Sequence, residues 1–132
     1  MYLLNTDICI YVIKKKPAGV LNTLKKKSRR GIHISSITVA ELEYGVEKSG
    51  FPEKNRVSLM EFLAIFDIIM FDARDAAEYG KIRAGLERKG TPIGPMDLMI
   101  ASQAVSRKLV LVTNNIKEFS RIEGLNFENW AG

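Results

Sequence analysis

Short β-prone runs alternate with helical segments along the whole chain, and no other feature limits its fold so tightly. Tyr2–Leu4, Ile32–Ser36, Ile68–Phe71 and Leu109–Val112 are mostly apolar runs, and Leu125–Phe127 is a last small one. Between them the pattern turns helical. Asp7–Ile13, a segment from Pro17 to about Lys27, and Thr38–Val46 come first. Pro52 opens a further helix in which Leu59, Phe62, Leu63 and Phe66 fall at i, i+3, i+4 and i+7. Asp72 caps a long helix to about Lys89, the breaker-rich Gly90–Pro95 is a loop, and helices near Met96–Ala104 and Ile116–Phe119 follow. Runs this short, alternating with helices, predict an α/β protein whose parallel sheet is covered on both faces.

That fold directs attention to the strand ends, because open parallel sheets collect ligands just past the carboxyl ends of their strands. With 132 residues and 46% apolar content, a single domain over 1–132 with a real core is expected. No apolar stretch approaches the ~20 residues a membrane span needs, and the start of the chain lacks signal-peptide order. Cys9, the one cysteine, rules out an internal disulfide. A cytoplasmic protein without membrane contact is therefore expected. The net charge of +5 is uneven, with eight of the twenty basic residues in Lys14–Lys16 and in the run Lys25 to Arg30. Solvated helix ends and phosphate contact explain such runs equally well.

Several common chemistries drop out. Neither a G-x-G-x-x-G nor a P-loop pattern is present, so there is no phosphate cradle of those kinds. There is no G-x-S-x-G elbow, and the lone histidine, His33, sits within a β-run. One Cys and one His make a zinc site improbable. What remains at strand ends and helix starts is oxygen chemistry: Asn5 and Asp7, Glu41, Asp97, and Thr113-Asn114-Asn115. Hard oxygen ligands suit Mg²⁺ or Mn²⁺. Each residue also has a plain structural role. Thr38 and Glu41 have capping-box spacing, Asp7 is placed to cap a helix, Asp97 offsets a helix dipole, and Asn114-Asn115 reads as a turn. Those roles do not explain why four such positions share one chemistry.

Four segments carry a resemblance. They are Tyr2–Asp7, Ser35–Gly45, Pro92–Ala101 and Val112–Phe119. In their order and spacing the chain resembles the PIN-domain ribonucleases, and most closely the VapC-type toxins of bacterial toxin–antitoxin pairs. The resemblance implies a PIN-like three-layer α/β/α domain with a short parallel sheet of four or five strands. It implies a Mg²⁺- or Mn²⁺-dependent endoribonuclease acting on RNA, tRNA and in particular initiator tRNA. It also implies a homodimer, and a cognate antitoxin through which operator DNA is met only indirectly. By position, Asn5, Glu41 and Asp97 match the metal-binding acids, Asn115 matches a fourth position, and Thr113 matches a site threonine that holds the attacking water or a neighbouring ligand. Lys81, Arg83, Arg88 and Lys89 are placed either to contact RNA or to form a solvated helix face.

Asn5 departs from the pattern, since the family has an acid there. An amide oxygen ligates Mg²⁺ but brings no charge. Three explanations are open: a substitution that silences a toxic enzyme, which is favoured because the rest of the site is intact; a natural variant with Asp7 compensating; or a catalytically dead PIN domain kept as an antitoxin-binding co-repressor module. A phosphoacceptor receiver domain is a remote further option, because only part of its acidic pair is present.

Overall fold

The computed structural model describes residues 1–131, apart from the Arg29 side chain; Gly132 lies outside the described residues. Five strands, β1 (Tyr2–Leu4), β2 (Ile32–Ser35), β3 (Asp67–Ile69), β4 (Val110–Val112) and β5 (Phe127–Glu128), form one sheet in the order β3-β2-β1-β4-β5. Every pairing is parallel. The helices are α1 (Thr6–Lys14), α2 (Ala18–Lys27), α3 (Ser36–Lys48), α4 (Pro52–Leu63), α5 (Ala73–Arg88), α6 (Pro95–Arg107) and α7 (Ile116–Phe119). The fold is thus α/β with three layers.

The side-chain alternation of β1 divides the core. Tyr2 and Leu4 point into one cluster with Ile8, Ile34, Leu59, Phe62 and Val112. Leu3 points into the other, with Ile100, Ala104, Leu111 and Phe119. Strands with apolar residues on both faces need helices on both faces. The cover is complete over β1 but not at the sheet edge, where Asp67 and Ile68 of β3 are exposed.

Several local expectations shift. The third helix starts at Ser36, not after Thr38. The Ser35 hydroxyl caps it by accepting the Ile37 N–H at 3.0 Å, and Thr38 is fully buried inside the first turn. The Thr38–Glu41 capping box therefore does not form. The third strand spans Asp67–Ile69, so Met70 and Phe71 lie beyond it, and the last strand sits later, at Phe127–Glu128. Asp72 does cap α5, in a reciprocal box with Asp75.

Strand order positions the site. From β1 the chain steps outward through β2 and β3, then returns to pair β4 on the other side of β1. Leu4 is level with Ile34 on one neighbour and Val112 on the other. Asn5, Ser35 and Thr113 therefore leave the sheet side by side, at the switch point where ligands gather in such sheets.

Candidate active site

Asn5 has its backbone fully engaged. Its N–H donates to the Val112 carbonyl at 2.9 Å, and its own carbonyl accepts from Ile8 and Cys9 at 3.1 Å each. It occupies the N-cap position of α1, yet its side chain makes no capping bond. The side chain is buried instead, with Nδ2 donating to Thr113 Oγ1 at 3.2 Å. Its carbonyl oxygen, Oδ1, is buried without a hydrogen-bond partner.

Thr113 and Asp7 complete a chain of contacts. Thr113 Oγ1 donates to Asp7 Oδ2 at 3.2 Å and accepts the Asn115 N–H at 3.0 Å. Asp7 Oδ2 also accepts the Asn114 N–H at 2.9 Å. Asp7 is therefore not the N-cap of α1; it lies in the first turn and ties that helix to the loop after β4.

Glu41 lies in the second turn of α3, where Oε1 accepts the Thr6 hydroxyl at 2.7 Å, with Thr38 Oγ1 3.0 Å from the same hydroxyl. Asp97 stands in the first turn of α6, half-buried. A helix N-terminus favours an ionised acid, but here the balance goes the other way. Burial first, then the charges of Glu118, Glu41 and Asp7, push the Asp97 carboxyl up from 3.8 to about 6. The dipole role alone does not describe this residue. Its surroundings are desolvated and negative, a combination that marks a candidate functional site.

Glu118 is the acid that sequence reading missed. It accepts the Gly94 N–H at 3.1 Å and Asn115 Nδ2 at 2.9 Å, so it braces the loop entering α6. The available signal was its spacing, three residues past Asn115, where one helical turn faces it back toward the strand end.

The structure thus joins Asn5, Thr113 and Asn115 in one hydrogen-bonded chain and brings Glu41 and Asp97 within electrostatic reach of each other. Among the described residues, no three His, Cys, Asp or Glu side chains are grouped to hold a metal ion by themselves. The Asn5 oxygen is the neutral donor available beside the two carboxylates. The donor set fits an ion: hard cations such as Mg²⁺ take one or two carboxylates and keep several waters, and the partnerless Oδ1 is a ready neutral ligand.

Cys9 and His33 fall away. Burial and the Asp7 charge push the Cys9 thiol well up, so it is no nucleophile. His33 lies in β2 beside Asp67 of β3. Lys81, Arg83 and Lys89 face solvent in ion pairs with Glu78, Glu87 and Glu123, and Arg88 is exposed, an arrangement compatible with both roles, solvated face and RNA contact.

A parallel sheet with this strand order and with oxygen-bearing side chains past its central strand ends defines a class, and residues 2–125 match the family model described as PIN domain. Relatives narrow it. The chain is 45% identical over 130 residues to the tRNA(fMet)-specific endonuclease VapC of Shigella flexneri, covering 98% of each. It is 48% identical over 131 residues to ribonuclease VapC2 of Rickettsia felis, again covering 98% of each. Its fold matches a chain in the crystal structure of VapBC2 from Rickettsia felis bound to a DNA fragment from their promoter, with a TM-score of 0.93 at 48% identity and 98% of both chains covered. The protein belongs to the PIN-domain family, in its VapC-type ribonuclease branch.

Proposed function

We propose that this chain is a toxin endoribonuclease of a toxin–antitoxin pair. It hydrolyses phosphodiester bonds in RNA with the help of Mg²⁺ or Mn²⁺, and its substrate is tRNA, the initiator tRNA above all. One observation carries the chemistry: the Asp97 carboxyl is raised to about 6 by burial and by Glu118, Glu41 and Asp7, and Asp7 is tied through Thr113 to Asn5, whose buried Oδ1 has no partner. The substrate class draws on relatives whose names specify tRNA(fMet).

Asn5, Glu41 and Asp97 would hold the cation, which supplies an activated water and offsets charge on the reacting phosphate. The chain's own groups set the geometry. The Thr6 hydroxyl fixes one oxygen of Glu41, Thr113 fixes the Asn5 amide, and Glu118 fixes Asn115 and the loop that delivers Asp97. Water adds to phosphorus, the P–O3′ bond breaks and the 3′-hydroxyl leaves, so no 2′-hydroxyl nucleophile is needed. Because Asn5 adds no charge, the cation binds more weakly than an acid at that position would allow, and the activity is attenuated. The chain forms a single PIN domain, acts in the cytoplasm, dimerises, and meets operator DNA through its antitoxin. A groove of about 490 Å³ between α1, α2 and α4, walled by Leu21, Leu24, Phe62 and Phe66, suits an apolar antitoxin segment.

The test is cleavage of initiator and elongator tRNAs by the purified chain with Mn²⁺, beside Asp97→Asn and Asn5→Asp. Cleavage lost in the first variant and raised in the second is expected. If Asn5→Asp is as inert as Asp97→Asn, the co-repressor reading, which the missing third acid favours, replaces the enzymatic one.

A further inference from the structure

A threonine hydroxyl has one proton and two lone pairs, and at Thr113 all three are committed. The oxygen accepts from Asn5 Nδ2 and from the Asn115 N–H. The proton goes to Asp7 Oδ2, an atom already fixed by the Asn114 N–H. A carboxylate only accepts, so Asp7 dictates where the Thr113 proton points. Thr113 then offers Asn5 nothing but lone pairs. The Asn5 amide must turn its NH₂ toward Thr113 and its carbonyl oxygen away. The reverse orientation sets two acceptors against each other and buries an NH₂ group with no partner, which burial penalises. In the orientation adopted, Oδ1 is the atom left unpartnered, on a residue only 3% exposed.

We infer that Asp7 is a positioning residue: acting through Thr113, it orients the Asn5 amide so that Oδ1 rather than Nδ2 is free to ligate a divalent cation. This rests on the cation site proposed above. The two ends of an amide are opposites as ligands, one an acceptor and one a donor, so a neutral arm at position 5 works only with something to orient it. The two oxygens of a carboxylate are equivalent, so an acid at position 5 needs no such partner. Asn5 and Asp7 are therefore one device, and the amide at position 5 is matched to the acid at position 7. The competing role for Asp7 is a brace, joining α1 to the loop after β4 through the Ile8 and Asn114 N–H groups.

The two roles separate in a cycle of four proteins: the unaltered chain, Asp7→Asn, Asn5→Asp and the double variant. The readout is Mn²⁺ affinity, from calorimetry or the paramagnetic resonance of free Mn²⁺. Losing the Asp7 charge, or a brace, weakens binding equally in both backgrounds. Loss of orientation weakens it only where position 5 is Asn. The Asp7→Asn loss should be larger with Asn5 than with Asn5→Asp by about tenfold, the usual scale for removing a group that orients a metal ligand. Thr113→Val should reproduce that loss and Thr113→Ser should spare it. Equal losses in the two backgrounds overturn the orienting role and leave the cation site standing. Failure of every protein, Asn5→Asp included, to bind Mn²⁺ overturns the site and the role together. A metal-free measurement stands beside these: the Asn5 side-chain NH₂ should be protected from exchange in the unaltered chain and in Thr113→Ser, but not in Thr113→Val. Rapid exchange in the unaltered chain overturns the inference.

Discussion

Asp75 and Asp97 both lie near helix starts, and their surroundings are opposites. Asp75 is fully buried in α5, yet every need of its carboxylate is met. It accepts the Asp72 N–H at 2.8 Å, the Ser106 hydroxyl, and Arg107 Nη2 at 3.1 Å. Arg107 continues to the Met70 carbonyl at 2.7 Å, so one cluster locks α5, α6 and the end of β3 together. Asp97 is less buried and far worse provided for. Its charged neighbours are acids, and its carboxyl is pushed up rather than stabilised. A cluster whose charges balance holds a fold. A cluster of like charges works against the fold at Asp97 and marks a candidate functional site.

The balanced cluster carries the larger share of stability. Arg107→Ala leaves Asp75 buried and unpaired, and should cost about 3–5 kcal/mol in denaturant unfolding. A cost under about 1 kcal/mol would mean that the cluster is ornamental. In the other cluster, Asp97→Asn should lower Mn²⁺-dependent RNA cleavage by about 100-fold, or about 2.7 kcal/mol of barrier, while leaving the fold intact by circular dichroism.

The same substitution sharpens the contrast through pH. A carboxyl whose folded value is raised from 3.8 to about 6 binds more protons folded than unfolded between those limits. Stability of the metal-free protein should therefore fall as pH rises through that window, and the penalty is fully present above it. Since Asp97 is only half-buried, solvent screening reduces the effect to about 1 kcal/mol. Asp97→Asn should flatten the profile, and Mn²⁺ should restore most of the lost stability; thermal melts at several pH values read both. The smallest effect belongs to the solvated face of α5, where Lys81→Ala should change stability by under about 0.5 kcal/mol.

Much of this was legible because the signals are local. Alternating short runs and helices predicted the α/β class, and of the oxygen-bearing residues at strand ends the structure links Asn5, Asp7, Thr113 and Asn115 by hydrogen bonds. Ser35 was passed over as a cap because Thr38 also has the right chemistry, and only burial of Thr38 decides between them. The Asp75–Arg107 cluster joins residues 32 positions apart, and no local pattern announces it. The orientation of Asn5 was invisible for the same reason. Its partner Thr113 is 108 positions away, and the direction of one hydroxyl proton depends on a third residue.

The strand order has a consequence for how the molecule comes into being. The central strand, β1, is synthesised first, but its second neighbour is β4, at Val110–Val112. A growing chain that has emerged only through α5 holds β1 with one edge bare, the kind of long-range closure that folds late. Thr113 and Asn115 are delivered by that same closure. Docking β4 onto β1, before β5 can add to its far edge, is thus also the step that brings Thr113 and Asn115 beside Asn5, so a chain that stops short of β4 lacks half of the candidate site.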